Sequence, residues 1–415
     1  MGETTPRLVR RLGLGATTAV VLGAMVGAGV YLSLGEAAVT TGASLLIALA
    51  IAALVASFNG LSSAELGATY SWAGGAYEFG RRLLRPSVGY LAGWLFILAS
   101  LAAGSTFAHT FAAYLSALLP TASPRLFGLA LIILATAVNA RGVRLSSVAN
   151  VALVTINIAA LLALAGFTLP HFAAQRLQPL FSGSVPGLLR AAALMFFAYS
   201  GYARPVTVAE EVREPRRTLP RAVTAAITIT ACLYLLVGLA ALGELGPRRL
   251  GEEQAPLRAV AAAAAGSTAQ TLVSLTALIA STTVLLTEVW GLSRLVFAMA
   301  RNGDLPRWLA ELTPRERLPR RAVLVVGGAM LLLTLALDPR PALEASSLAL
   351  LCYYGVMNLS ATRLAPQERL YPRLVPIAGL AACVLLAFSL SRQTLLVVAA
   401  TAVVGMAYYG VRRRT

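Results

Sequence analysis

An all-α protein that crosses a membrane twelve times is the fold class this sequence predicts, and three observations predict it. Hydrophobic residues fill 58% of the 415 positions and charged residues only 12%, a balance foreign to soluble domains. The apolar residues gather in runs close to the ~20 residues a helix needs to cross hydrocarbon. Arginine clusters recur between alternate runs, which distinguishes one side of the membrane from the other.

The runs place spans at roughly 13–35, 42–66, 88–119, 126–140, 147–168, 186–210, 220–243, 268–300, 321–337, 342–363, 373–390 and 393–410. The fourth is short enough to lie tilted. No soluble domain of useful size fits between them. The N-terminal stretch is Arg-rich, then apolar, then small, as in a signal peptide. It is read as a retained span, because the later spans keep their orientation only if the first one stays.

The net charge of +17 is carried without a single Lys. With a cytoplasmic N-terminus, the inner segments receive Arg7, Arg10 and Arg11, then Arg81, Arg82 and Arg85, then Arg141 and Arg144. The same side later receives Arg213, Arg216, Arg217 and Arg221, the 301–321 cluster, Arg363, Arg369 and Arg373, and the tail Arg412–Arg414. The outer segments hold fewer, among them Arg125, Arg190, Arg249 and Arg340. That asymmetry puts both termini in the cytoplasm of a plasma (inner) membrane. It reads as topology and contact with anionic lipid, and excludes a nucleic-acid partner. Cys232, Cys352 and Cys383 fall inside spans without metal-ligand spacing, so they are expected as small buried packing residues.

Two spans carry signs of interruption. The first contains Gly23-Ala-Met-Val-Gly27-Ala-Gly29, and glycine loses the most backbone freedom on entering a helix. The sixth reads Leu194-Met-Phe-Phe-Ala-Tyr-Ser-Gly201-Tyr-Ala-Arg-Pro205, where proline removes a donor and clashes one turn back. Backbone freed in mid-bilayer is tolerable only where it faces protein, water or a ligand. Interrupted spans five apart point to a five-plus-five inverted repeat with a binding site at the repeat interface. The expected organisation is one transmembrane domain: 12–170 as the first repeat, 186–365 as its inverted copy, and 370–411 as two extra helices.

These motifs resemble those of the amino acid–polyamine–organocation (APC) permeases. The first-span glycines followed by Val30-Tyr31 are similar to that family's signature, as is Phe196-Phe-Ala-Tyr-Ser-Gly-Tyr followed by Glu210-Glu-Val-Arg-Glu-Pro215. Ala64-Glu65-Leu66, Gly74-Gly75-Ala-Tyr77, Asn139-Ala-Arg-Gly142-Val and Ser293-Arg294…Arg301-Asn-Gly303-Asp-Leu-Pro306 follow in the right order. They cover about the first 310 residues of the chain. The resemblance implies a leucine-transporter-type fold, alternating access, and an amino acid or amine substrate.

A broken first span offers N–H groups for a carboxylate and carbonyls for an ammonium, with a favourable helix dipole for the anion. The resemblance implies that Gly27, Ala28 and Gly29 present the N–H groups. It assigns the ammonium to carbonyls around Ala24, Met25 and Val26 with those of Phe197, Ala198 and Ser200, beside Gly201. Phe197 stands where the family often has an aromatic gate; Tyr199 and Tyr202 read as packing residues. No Asp or Glu is visible near the breaks, and a buried unpaired charge is costly. A neutral, small or apolar amino acid is therefore expected. A polyamine, cationic amino acid or other amine is the rival, which a carboxylate in the pocket would favour. A channel or a non-transporting amino-acid sensor stands further off.

In several relatives a Lys in the fifth span takes the place of a sodium ion. Here, counting on from Asn139, the position falls on Asn157, which carries no charge, so the chain is an exchanger or facilitator, a sodium ion fills the gap, or protonation occurs elsewhere. Ser281, Thr282 and Thr283 supply hydroxyls suited to a sodium site. Glu288 is costly in hydrocarbon and a candidate for proton coupling or for an ion pair with Arg204. His109 is expected to be hydrogen-bonded or to line a vestibule. No HExxH, Gly-x-Ser-x-Gly or paired carboxylates appear in the spans, so neither an enzyme nor a cofactor is expected.

Overall fold

The computed structural model describes residues 12–70, 74–120, 123–142, 147–181, 183–202, 212–313 and 318–413. Those residues are helical almost throughout, with an isolated bridge between Leu12 and Val212 in place of any strand. The first span is two helices, α1 (Leu14–Met25) and α2 (Gly29–Thr41), separated by Val26–Ala28. The break lies at the end of the glycine run. Gly23 stays helical, and the outer half-helix runs to Thr41, past the expected end at 35.

Helix α3 (Leu45–Thr69) and the one-turn α4 (Ala76–Phe79) precede α5 (Pro86–Ser116), α6 (Pro124–Ala140) and α7 (Ser147–Thr168). The sixth span stops at its first half, α8 (Val185–Tyr199). Its continuation, with Ala203, Arg204 and Pro205, falls outside the described residues.

Two long helices follow. Helix α9 (Pro215–Glu252) contains a non-helical Gly246, and α10 (Pro256–Arg301) contains non-helical Ala265 and Gly266. Both are therefore a membrane-length segment joined to a short terminal piece. The chain closes with α11 (Arg320–Ala336), α12 (Pro339–Ala361), α13 (Leu374–Ser389) and α14 (Arg392–Arg412). Among the described residues, six segments are long and apolar enough to cross a membrane by length and composition. Two of the shorter apolar helices end at the interruptions, α1 before Val26–Ala28 and α8 before Ser200.

The half-helices sit at the centre. Helix α2 packs on α8, α1 packs on α9, and α3, α5 and α12 surround them. The centre is closely packed and largely small: Ala28, Ala193, Leu194 and Tyr31 are wholly buried. At the periphery the pattern inverts, with Phe388 of α13 75% exposed and Val403 of α14 68% exposed. Apolar side chains facing outward suit a lipid solvent. Cys352 and Cys383 lie inside as expected, but Cys232 is exposed on the outer face of α9 and is no packing residue of the core.

Two sequence motifs interlock on the Arg-rich side. Gly74 (φ 123°) and Gly75 (φ 59°) form a turn that other residues enter only with strain. A Cβ on Gly75 would stand 2.2 Å from the Tyr353 hydroxyl, which instead accepts the Ala76 N–H at 3.0 Å. Tyr77 donates to Asp304 at 2.7 Å and accepts from Asn302 at 2.9 Å, while Arg81 forms an ion pair with the same Asp304. The glycine turn and the Arg301–Pro306 segment are thus two halves of one contact. Glu65 accepts the Tyr371 N–H at 3.0 Å and ties the loop after α12 to the end of α3.

On the opposite side Glu344 of α12 joins three helices, and its neighbour Arg340 brings in a fourth. It pairs with Arg190 of α8 at 2.5 Å and accepts from Ser391 at 2.6 Å and Thr394 of α14 at 2.9 Å. Arg340, one turn away, lies 3.7 Å from Glu36 of α2. Charge is buried here with partners on every side, which is the condition for tolerating it.

Candidate substrate site at two helix breaks

The first break leaves backbone groups to be accounted for. The Gly27 N–H donates to the Met25 carbonyl at 2.9 Å, and the Tyr31 N–H donates to Ala28 at 3.2 Å. The amides of Ala28, Gly29 and Val30 carry no hydrogen bond to any described residue. They are the unfilled donors at the N-terminus of α2, where partial positive charge collects. Of the three N–H groups expected to face a carboxylate, Ala28 and Gly29 are open and Gly27 is engaged.

The carbonyls of the broken segments are partly claimed. The Val26 carbonyl accepts from Asn157 Nδ2 at 3.1 Å, and Met25 accepts from the Tyr234 hydroxyl at 2.8 Å. Ala198 lies 3.4 Å from the same hydroxyl, so Tyr234 touches both broken helices. The Phe197 carbonyl accepts the Ser200 N–H at 3.1 Å and its Oγ at 2.7 Å. Ser200 thus turns its hydroxyl back onto its own chain. Tyr234 escaped the sequence reading, although it is the single aromatic residue of α9.

The glycines serve close approach. A Cβ on Gly29 would stand 3.0 Å from Ala198 Cα and 3.4 Å from Phe197 Cε1. One on Gly27 would meet Val284 Cγ2 at 2.6 Å, and one on Gly23 would meet Asn150 Nδ2 at 2.9 Å. Gly201 is different. Its φ of 138° requires glycine, and a Cβ there would stand 2.4 Å from the Ala24 carbonyl oxygen. The two breaks are in contact, Gly201 against Ala24.

Beside that contact lies a cavity of about 100 Å³, bounded by Ala24, Phe197, Ser200, Gly201, Val284 and Glu288. Helix α5 contributes Phe96, Ser100, Ala103 and Phe107, spaced by four, three and four residues as one helical face demands. Phe107 and Phe197 stack with ring centroids 5.6 Å apart. Tyr353, pinned to the glycine turn, lines it from α12. The expectation of no carboxylate near the breaks is corrected here: Glu288 lines the cavity. It follows Gly201 by 87 positions, and only the packing of α10 against α5 brings it in. The Glu288–Arg204 ion pair falls outside the described residues, because Arg204 does.

Asn157 is 3% exposed and works at both ends of its amide. Its Oδ1 accepts from Tyr31 at 2.6 Å while its Nδ2 holds Val26. It ties the unwound segment to α2, and Tyr31 in turn packs edge-on against Tyr114 at 5.6 Å. Asn157→Ala should leave the Val26 carbonyl without its amide donor and the Tyr31 hydroxyl with only its 3.5 Å contact to Thr276, and a buried polar group left unsatisfied costs about 1–3 kcal/mol. The expected result is a ~10-fold or larger rise in the apparent substrate Kd, read by direct binding to purified protein. An unchanged Kd would remove Asn157 from the site.

Ser281, Thr282 and Thr283 each donate to a carbonyl one turn back at 2.8 Å, on Ala277, Leu278 and Ile279. Their oxygens keep lone pairs, and Ser281 is wholly buried. His109 stands 3.0 Å from the Leu337 carbonyl and lines an outer cavity of about 550 Å³ with Glu36 and Asp338. Tyr199 packs on Tyr234 at 5.2 Å and Tyr202 on Tyr354 at 4.7 Å, as packing residues should.

Comparison with known proteins gives the family. Residues 12–409 match the family model described as amino acid permease. An uncharacterized transporter of Mycobacterium tuberculosis is 40% identical over 98% of this chain and 92% of its own length. A branched-chain amino acid permease of Bacillus subtilis is 28% identical over 75% of this chain and 71% of its own. A cationic amino acid transporter of Arabidopsis thaliana is 27% identical over 77% of this chain and 56% of its own.

Proposed function

This chain belongs to the amino acid permease family of the APC superfamily, and from that membership we propose that it moves a small neutral amino acid across the plasma membrane. The observation that carries the proposal is the pair of touching breaks. Open amides at the start of α2 suit the substrate carboxylate, and carbonyls of the broken segments suit its ammonium. The adjoining cavity of about 100 Å³ is far below the ~300 Å³ at which drug-sized pockets begin. A small side chain fits such a space between Phe107, Phe197 and Val284.

The proposed architecture has twelve spans in two inverted five-helix repeats, 12–170 and 186–365, followed by 370–411, with both termini cytoplasmic. Alternating access would open and close the two polar contacts that flank the site. On the inner side these are the Tyr353–Ala76 bond and the Asp304 cluster; on the outer side, the Glu36–Arg340–Glu344–Arg190 group. Asn157 replaces a coupling charge with a neutral tether. Coupling then rests either with a proton at Glu288 or with sodium near Ser281, Thr282 and Thr283.

One observation favours a second substrate class. Glu288 in the cavity wall is a natural partner for a cationic side chain or an amine. Counterflow in proteoliposomes separates the readings, because exchange needs no driving ion. With each of the twenty amino acids preloaded in turn, glycine, alanine, serine and threonine should support uptake of labelled alanine. Uptake supported by arginine, lysine or polyamines alone would replace this reading with the cationic one. Saturable binding without flux would make the chain a sensor.

A further inference from the structure

The cavity beside the touching breaks has in its wall a hydroxyl that the fold leaves uncommitted. Ser100 of α5 is 2% exposed, lines the cavity, and makes no hydrogen bond to any described residue. We propose that Ser100 is a specificity-determining residue, whose hydroxyl selects a substrate side chain bearing a hydroxyl on its β-carbon, as serine and threonine do. The proposal rests on the neutral amino acid reading above and narrows it.

The rest of the same helix supplies the first argument. Serine and threonine hydroxyls buried in a helix can satisfy themselves on a carbonyl one turn back. Thr106, Thr110 and Ser116 do so, donating to Ala102, Thr106 and Ala112 at 2.9, 2.9 and 2.7 Å. Ser105 makes no such bond, and its oxygen is fully enclosed by its neighbours. The Ser100 oxygen is instead open to the cavity. A hydroxyl held out of water without a partner is costly, and a substrate hydroxyl that reached it would remove that cost.

Position is the second argument. Ser100 shares its helix face with Phe96, Ala103 and Phe107, so it is the polar point on an otherwise apolar strip of wall. Its register is fixed from α12. Ser346 donates to the Ala99 carbonyl at 2.8 Å, and Ser347 donates to the Ala193 carbonyl of α8. Two adjacent hydroxyls thus hold α5 and the half-helix of the sixth span to one support, which keeps Ser100 level with the breaks.

The chemistry of a neutral hydroxyl decides the class of side chain. It both donates and accepts, as a substrate hydroxyl does, so the two pair in either sense. Ser200, the other serine of the wall, already donates to the Phe197 carbonyl. An apolar side chain of equal size would leave Ser100 unpaired in a confined space. A pocket built around a hydroxyl discriminates against the analogue that lacks one.

Competition against counterflow of labelled alanine in proteoliposomes tests the inference with a matched pair. Serine and α-aminobutyrate differ by a hydroxyl against a methyl, so size does not separate them. Serine should half-inhibit at about fivefold lower concentration, the ~1 kcal/mol of one neutral hydrogen bond. Ser100→Ala should bring that ratio to about one. Ser105→Ala, which removes an enclosed hydroxyl of the same helix, should keep it near fivefold. A ratio of about one in the unaltered protein would overturn the inference without any variant. So would a fivefold ratio kept by Ser100→Ala, or one lost equally in Ser105→Ala. Alanine counterflow without a serine preference removes this inference alone. No alanine counterflow at all removes the neutral reading beneath it as well.

Discussion

Gly29→Val should abolish counterflow, by ~100-fold or more, while the protein remains helical and monodisperse in detergent. The Cβ of any residue at this position stands 3.0 Å from Ala198 Cα, a backbone atom that cannot swing aside. Overpacking of this kind costs about 1–3 kcal/mol of stability, which a tightly packed membrane core can absorb. The functional loss should be larger, because the valine branches crowd the open amides of Ala28, Gly29 and Val30. A hundredfold loss corresponds to about 2.7 kcal/mol of binding. Gly27→Val should also fail in transport, but its clash is with the Val284 side chain at 2.6 Å. Val284→Ala should therefore partly rescue Gly27→Val and leave Gly29→Val unrescued. Normal substrate affinity in either valine variant would sink the assignment of this backbone to substrate binding.

Glu288→Gln should separate exchange from accumulation. In the proposed reading the carboxylate lines the cavity without contacting a neutral substrate's charge, so counterflow of alanine should stay within about twofold. Uptake driven by an inward proton gradient should fall ~10-fold, the effect of losing about 1.4 kcal/mol of coupling. The sign follows from the chemistry: glutamine cannot take up a proton on the acidic side and release it on the other. Driven uptake at the original rate would end the role of Glu288 as a proton carrier and leave the sodium reading at Ser281, Thr282 and Thr283. Loss of arginine counterflow with alanine counterflow absent from the start would instead establish the cationic substrate class.

Much of the fold was legible because a membrane restricts what a sequence can do. Every backbone group in hydrocarbon must be paired, so long apolar runs become helices. The fourth to sixth residues of the glycine run, Val26 to Ala28 with Gly29 as the seventh, mark the break because proline-free helix interiors seldom tolerate such density. The break falls inside the glycine run, at Val26–Ala28, and its place within the run has a local reason. Gly23 and Gly27 look alike in sequence, yet Gly23 is a packing glycine under Asn150 and stays in its helix.

The site was legible in its backbone and not in its walls. Ala24, Gly29, Phe197 and Gly201 could be named because they belong to the two segments whose helices fail. Tyr234, Phe107 and Tyr353 could not, because nothing in an intact helix distinguishes a residue facing the breaks and their cavity from one facing any other neighbour. Glu288 was visible as a costly charge, but its depth relative to the breaks depended on how α10 packs against α5. The glycine turn at Gly74–Gly75 and the Arg301–Pro306 segment were recognised as separate motifs; their contact through Tyr77 and Asp304 was not.

Sequence alone determined the class, the helical spans and the places where helices are interrupted, because those follow from local apolar length and from glycine and proline. Tertiary structure alone decided which glycine of the first span is a break and which is a contact, that Tyr234 bridges both broken helices, and that a carboxylate stands in the cavity wall. The reason is physical. Helix propensity and hydropathy act within a few turns of chain, whereas packing joins residues scores or hundreds of positions apart by shape, and shape has no local signature.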